Sequence, residues 1–243
     1  MEVRLLGTGG WLPTDERETA CMYVRSGPDV LLLDAGTGAR RLITEPALLA
    51  GVERFHVVLS HFHLDHVMGL VALAGLDLER QIWMPARLLA GLPADEVFER
   101  LVGPPFFTGT DVVGTPRELE GDCELGPFRI EIRLQPQHPG KTIAVKVDGR
   151  LAYCTDTAYD PENIEFARGV SILLHESFWS GEMTDDPSHT AAGEAGRLAA
   201  ESGVERLVLV HINPEDCDDA ELAISARAHF AASDVGRDGL LVM

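Results

Sequence analysis

Six consecutive residues, His61-Phe62-His63-Leu64-Asp65-His66, carry the densest chemistry in the chain, an H-x-H-x-D-H run. Imidazole nitrogens bind zinc-like ions well, and a carboxylate beside them supplies an oxygen ligand or a base. In an extended segment residues two apart point to the same side, so His61 and His63 can hold one ion together. Asp65 and His66 open the apolar run Val67-Met68-Gly69-Leu70, which predicts a helix and puts them at a neighbouring position. Two ions about 3.5 to 4 Å apart suit that arrangement. The plain alternative is a polar turn that happens to contain histidines.

Two ions need more ligands than one loop provides. His138 sits in the turn-forming stretch Gln135-Pro136-Gln137-His138-Pro139-Gly140, Asp156 ends one apolar run, and His211 ends another. The expected sets are His61, His63, His138 and Asp156 on one ion, and Asp65, His66, His211 and Asp156 on the other, with Asp156 shared. Nitrogen and oxygen ligands suit Zn(II) first, and also Mn(II), Fe(II) or Co(II). Two such ions lower the pKa of bound water toward neutrality and stabilise negative charge on an attacked centre, which predicts a hydrolase. Metal chemistry alone does not choose among phosphodiester, ester, lactone and lactam.

The elements that must position these groups are short apolar runs that stop at a polar residue. Val30–Leu33 stops at Asp34, Val57–Leu59 at Ser60-His61, Leu151–Cys154 at Thr155-Asp156, Ile172–Leu174 at His175-Glu176, and Leu207–Val210 at His211. Runs this short and apolar read as strands buried on both faces. Helical stretches are expected at Val67 to Leu73, Ala191 to Glu201 and Asp219 to Ala232. The sum is an α/β protein, in which ligand sites gather beyond the carboxyl ends of the strands. Neither a repeat nor a linker interrupts the chain, so residues 1–243 are read as one domain. Pro104-Pro105-Phe106-Phe107-Thr108-Gly109 is read as an apolar loop that covers the metals and stacks a base or ring, or else as a hinge packed into the core or part of a dimer contact; Trp83, Phe178 and Trp179 are read either as walls of a substrate pocket or as packed core.

Composition narrows the partners. The 243 residues are 45% hydrophobic with a mean hydropathy of +0.03, and no apolar run reaches membrane-spanning length. The first residues, Met1-Glu2-Val3-Arg4-Leu5, lack a secretory pattern, so a cytoplasmic location is expected. Cys21, Cys123, Cys154 and Cys217 show no metal-knuckle spacing and are read as reduced. A net charge of −19 disfavours duplex DNA and anionic membranes as partners, and also serves plain solubility.

The ordered motifs resemble the metallo-β-lactamase superfamily, and within it the ribonuclease Z branch. The resemblance runs from Leu5-Leu6-Gly7-Thr8-Gly9-Gly10 and Leu33-Asp34-Ala35-Gly36 through the H-x-H-x-D-H signature. It continues through the His138 segment, Tyr153-Cys154-Thr155-Asp156-Thr157, Leu174-His175-Glu176, Ser188-His189-Thr190 and Val210-His211-Ile212. It implies a four-layer αβ/βα sandwich, two mixed β-sheets flanked by helices, with a dinuclear site along one edge. It also implies that Glu176 and His189 form a pair that hands a proton to the departing alkoxide, with Asp65 orienting or deprotonating water. His189 also reads simply as a residue at the start of a helix. Asp34 reads either as support behind a ligand or as the cap of a turn.

One departure matters. Branch members that mature tRNA carry a long arm between the third histidine motif and the aspartate motif, whereas here only Pro139 to Thr155 intervenes. The expectation is therefore a compact phosphodiesterase acting on a small or single-stranded phosphodiester. Ribonuclease Z or BN-type processing of tRNA 3′ ends is the alternative, and a lactone or carboxylic ester hydrolase the second alternative. A homodimer is compatible with the branch.

Overall fold

The computed structural model describes residues 1–105, 109–215 and 218–243. Phe106, Phe107 and Thr108 of the expected pocket loop, and Cys217, lie outside the described residues. The first sheet contains β1 (Glu2–Gly7), β2 (Cys21–Ser26), β3 (Asp29–Leu33), β4 (Arg54–Val58), β5 (Arg80–Met84) and β6 (Thr115–Glu118). The second contains β7 (Cys123–Leu125), β8 (Phe128–Gln135), β9 (Thr142–Val147), β10 (Leu151–Cys154), β11 (Ile172–Glu176), β12 (Arg206–Val210) and β13 (Ser233–Val235). Spatial order equals chain order in both sheets.

Both sheets are mixed. In the first, β1 to β3 pair antiparallel and β3 to β6 parallel. In the second, β7 to β10 pair antiparallel and β10 to β13 parallel. Alternation along each strand feeds different layers. Leu31 and Leu33 enter the core between the sheets, whereas Val30 and Leu32 face the helices outside the first sheet. In β12, Val208 and Val210 point inward and Leu207 and Leu209 outward, onto the helix Ala192–Ser202. Apolar residues on both faces thus make four layers, helix, sheet, sheet and helix, as the family resemblance implies.

The expected helices shift in detail. The stretch Val67 to Leu73 becomes two short turns, Leu64–Val67 and Leu70–Leu73, on either side of Gly69. A Cβ on Gly69 would lie 1.9 Å from Gly36 O, so the chain after the histidine motif packs directly on the turn after β3. Ala191 to Glu201 is observed as Ala192–Ser202, ended by Gly203 at φ 66°. The helix expected over Asp219 to Ala232 stops at Arg227, because the chain must turn back to run Ser233–Val235 beside β12. Between His138 and Asp156 the chain forms only a turn and the β9–β10 hairpin. Among the described residues no helix is long and apolar enough to cross a membrane.

Candidate metal centre

The carboxyl ends of β3, β4, β10, β11 and β12 lie along one edge of the two sheets and bring the expected residues together. Asp156 is central and almost fully buried. Its Oδ2 lies 3.5 Å from His61 Nε2 and 3.9 Å from His138 Nε2. Its Oδ1 lies 3.0 Å from His66 Nε2 and 3.3 Å from His211 Nε2. Each carboxylate oxygen therefore faces one group of imidazoles. His63, more exposed, belongs to the first group, its ring 4.6 Å from that of His61 and 5.0 Å from that of His138. Asp65 belongs to the second, with Oδ2 3.2 Å from His211 Nε2 and 3.4 Å from His66 Nε2.

The donor set fits divalent cations on an observation independent of spacing. His61 Nε2 and His66 Nε2 are buried without a hydrogen-bond partner among the described residues, although carboxylate oxygens lie close by. Buried polar atoms are normally satisfied. Unpartnered imidazole nitrogens facing shared carboxylates are what a bound cation requires. Ligand atoms of Asp65, His66, Asp156 and His211 all lie within 4.8 Å of one another, as do those of His61, His63 and Asp156.

Electrostatics follow from this crowding. Burial disfavours the charged form of Asp156, but His211, His66 and His61 overcome it and hold the carboxyl well below its ordinary value. Asp65 is likewise held down, with burial opposed by contacts to His211 and His66. Burial, reinforced by His66, depresses His61, whereas the Asp156 and Asp34 carboxylates outweigh burial and raise His66.

Asp34 supports the site from behind and also ends its strand. Its Oδ2 accepts from Tyr153 Oη at 2.8 Å and lies 2.7 Å from His66 Nδ1, while Oδ1 accepts from Ser60 N–H at 2.6 Å. An Nδ1 proton held by Asp34 leaves His66 Nε2 free to bind a cation. A second support stands behind Asp156. The amide of fully buried Gln135 donates to Thr142 Oγ1 at 2.7 Å and Thr155 O at 2.8 Å, and accepts from Asn163 Nδ2 at 2.9 Å. The Thr142 hydroxyl then donates to Asp156 O at 3.1 Å.

Glu176 and His189 lie beside this cluster. The fully buried Glu176 accepts from Thr157 N–H, and its Oε2 is 3.1 Å from His189 Nδ1. Burial alone would lower the His189 pKa, but the Glu176 carboxylate outweighs it and lifts the value to about 9. The His189 ring stacks on Phe178 at 4.4 Å between centroids and lies 5.5 Å from the His211 ring. His189 also shares a ligand-sized grouping with His138 and Asp156, a capacity that sequence reading did not assign to it.

These groups open into a cleft of about 290 Å³ whose described lining includes neither Lys nor Arg. Phe178 lines it, as expected of a pocket wall. Trp83 does not: its Nε1 donates to His56 Nδ1 at 3.3 Å, and it packs against the core between the sheets. Trp179 is also absent from the lining and donates to Asp186, which does line the cleft. Sequence reading missed Asp186, the Trp11 N–H that donates to Asp65 Oδ2 at 2.8 Å, and Gly10, where a Cβ would lie 2.6 Å from the His211 ring. The adjacent pair Gly9-Gly10 was the available signal of such close approach.

Comparison with known proteins agrees with this architecture. The family model described as "Beta-lactamase superfamily domain" matches residues 30–212. Ribonuclease Z of Methanopyrus kandleri is 30% identical over 286 aligned positions, spanning 99% of this chain and 96% of that protein. Ribonuclease Z of Halobacterium salinarum is 25% identical, with the same two coverages. Among solved structures, the metallo-β-lactamase fold protein YhfI from Bacillus subtilis superposes with a TM-score of 0.82 at 22% identity, covering 100% of this chain and 99% of that one. Human tRNase Z, short form, superposes with a TM-score of 0.67 at 17% identity, with the same coverages.

Proposed function

The chain belongs to the β-lactamase superfamily and is a ribonuclease Z-like, metal-dependent hydrolase, and we propose that it cleaves phosphodiester bonds in single-stranded RNA, tRNA 3′ ends included. The observation that carries this reading is the Glu176–His189 pair, 3.1 Å apart and set against the carboxylate-imidazole cluster. A sugar alkoxide leaves phosphorus poorly unless it is protonated, and this pair is placed to supply that proton.

Two divalent cations, Zn(II) first, would be held by His61, His63, His138 and Asp156 and by Asp65, His66, His211 and Asp156. When bound, such ions neutralise phosphate charge and lower the pKa of water. The side chains do the rest. Asp65, fixed by the Trp11 N–H, holds the attacking water by its carboxylate. Glu176 keeps His189 protonated, and the imidazolium gives its proton to the leaving oxygen. Phe178 fixes the plane of the His189 ring.

A second reading, a small phosphodiester as substrate, is favoured by one feature. The short β9–β10 hairpin stands where an RNA-gripping arm would be inserted, and the described cleft lining has neither Lys nor Arg. Metal-loaded protein assayed on precursor tRNA, short RNA, cyclic nucleotides and a lactone panel tests both. Cleavage of RNA supports the proposal, and activity confined to small diesters replaces it with the second reading. Lactone hydrolysis without phosphodiester cleavage overturns both.

A further inference from the structure

Among the described residues, Trp11 is the large aromatic residue that the fold leaves most open to solvent beside the candidate centre. It is 52% exposed and lines the cleft together with Asp65, Asp156 and His211. Among the described residues no ring or cationic group packs on its indole. Its backbone is pinned on every side: Gly10 N–H donates to Ile212 O at 2.9 Å, Trp11 N–H to Asp65 Oδ2 at 2.8 Å, and Leu12 N–H to Gly10 O at 2.7 Å. The base of the loop is tied as well, because Asp238 accepts from both Thr8 N–H and Glu18 N–H, at 2.9 and 2.7 Å.

Trp11 adopts φ 59°, a left-handed conformation that a bulky side chain rarely takes. Glycine would make the same turn at less cost. A strained turn that holds a bare indole at the mouth of a cleft has a direct chemical use, because aromatic faces stack on nucleobases irrespective of base identity. The rigid anchoring means little ordering is lost when a base arrives.

We propose that Trp11 is a substrate-positioning residue that stacks on the nucleobase next to the scissile phosphate, so that the site takes base-bearing phosphodiesters. This inference rests on the phosphodiester reading above. Its test uses metal-loaded wild type, Trp11→Phe and Trp11→Ala.

For a dinucleotide diester, Trp11→Ala should raise KM about 10- to 100-fold with kcat within about threefold, and Trp11→Phe should fall between. Titration with adenosine 5′-monophosphate should quench tryptophan fluorescence in the wild type and lose that quenching in Trp11→Phe, which retains Trp83 and Trp179. Ribose 5-phosphate, which lacks a base, should bind wild type and Trp11→Ala alike. An unchanged KM, or equal quenching in Trp11→Phe, overturns the inference. So does a Trp11→Ala that dissociates an oligomer without altering KM, since the indole would then serve a contact between copies. If the wild type cleaves no phosphodiester, the functional proposal falls, while the nucleotide titration still decides the role of Trp11.

Discussion

At the scale of single residues, the Glu176–His189 pair gives a prediction with a definite sign. As the proposed proton donor, His189 contributes below its pKa, and that contribution is lost as pH rises through about 9. With Glu176→Gln the lifting charge is gone, and the alkaline limb of the kcat profile should move down toward the ordinary imidazole value of about 6.5. His189→Ala should reduce kcat about 10²- to 10⁴-fold on an RNA diester, and far less on a p-nitrophenyl diester, whose leaving group departs unprotonated. Equal losses on both substrates would remove the proton-donor role. Gly10 offers a second check. A methyl there meets the His211 ring at 2.6 Å, so Gly10→Ala should displace His211 and weaken metal retention at least tenfold in a chelator competition, with the circular dichroism of the fold unchanged.

At the scale of elements, strand ends do the positioning, and their quality depends on buried polar supports. Gln135→Leu would leave Asn163 Nδ2 and Thr142 Oγ1 short of a partner and free the turn carrying Asp156. It should lower unfolding free energy by about 1 to 3 kcal/mol in urea titration of metal-free protein, and also increase the rate of metal loss. These same elements show what a sequence reveals. Apolar runs ending at Asp34, Asp156 and His211 were legible because burial on both faces leaves an unbroken pattern. The left-handed backbone of Trp11 was not, since a bulky residue rarely takes it; at Asp34, Asp156 and His211 only the residue types, Asp and His, hint at it, and the Gln135 support was hidden because its members are distant in sequence. The split of Val67 to Leu73 around Gly69 escaped notice for a related reason: the break answers a tertiary contact with Gly36.

At the scale of the whole molecule, the two sheets come from successive stretches of chain and meet at the candidate centre. His61, His63, Asp65 and His66 follow a strand of the first sheet, whereas His138, Asp156 and His211 follow strands of the second. Cations bound there would tie the sheets together and would bind only the folded chain. Each independent ion at a thousandfold excess over its Kd should add about 4 kcal/mol, or about 10 °C in melting temperature, lost on chelation and restored on reconstitution. A melt insensitive to chelator would separate the cluster from stability. The stretch Glu120-Gly121-Asp122 between β6 and β7, exposed at Glu120 and Asp122, is then more than a connector. Because each sheet on either side of it is already complete, a break there would part the polypeptide into two pieces, one carrying His61, His63, Asp65 and His66 and the other His138, Asp156 and His211, and neither alone would hold a full set of donors. Catalysis in such a nicked protein would report reassembly, which makes this seam the natural place to divide the molecule into a two-component sensor.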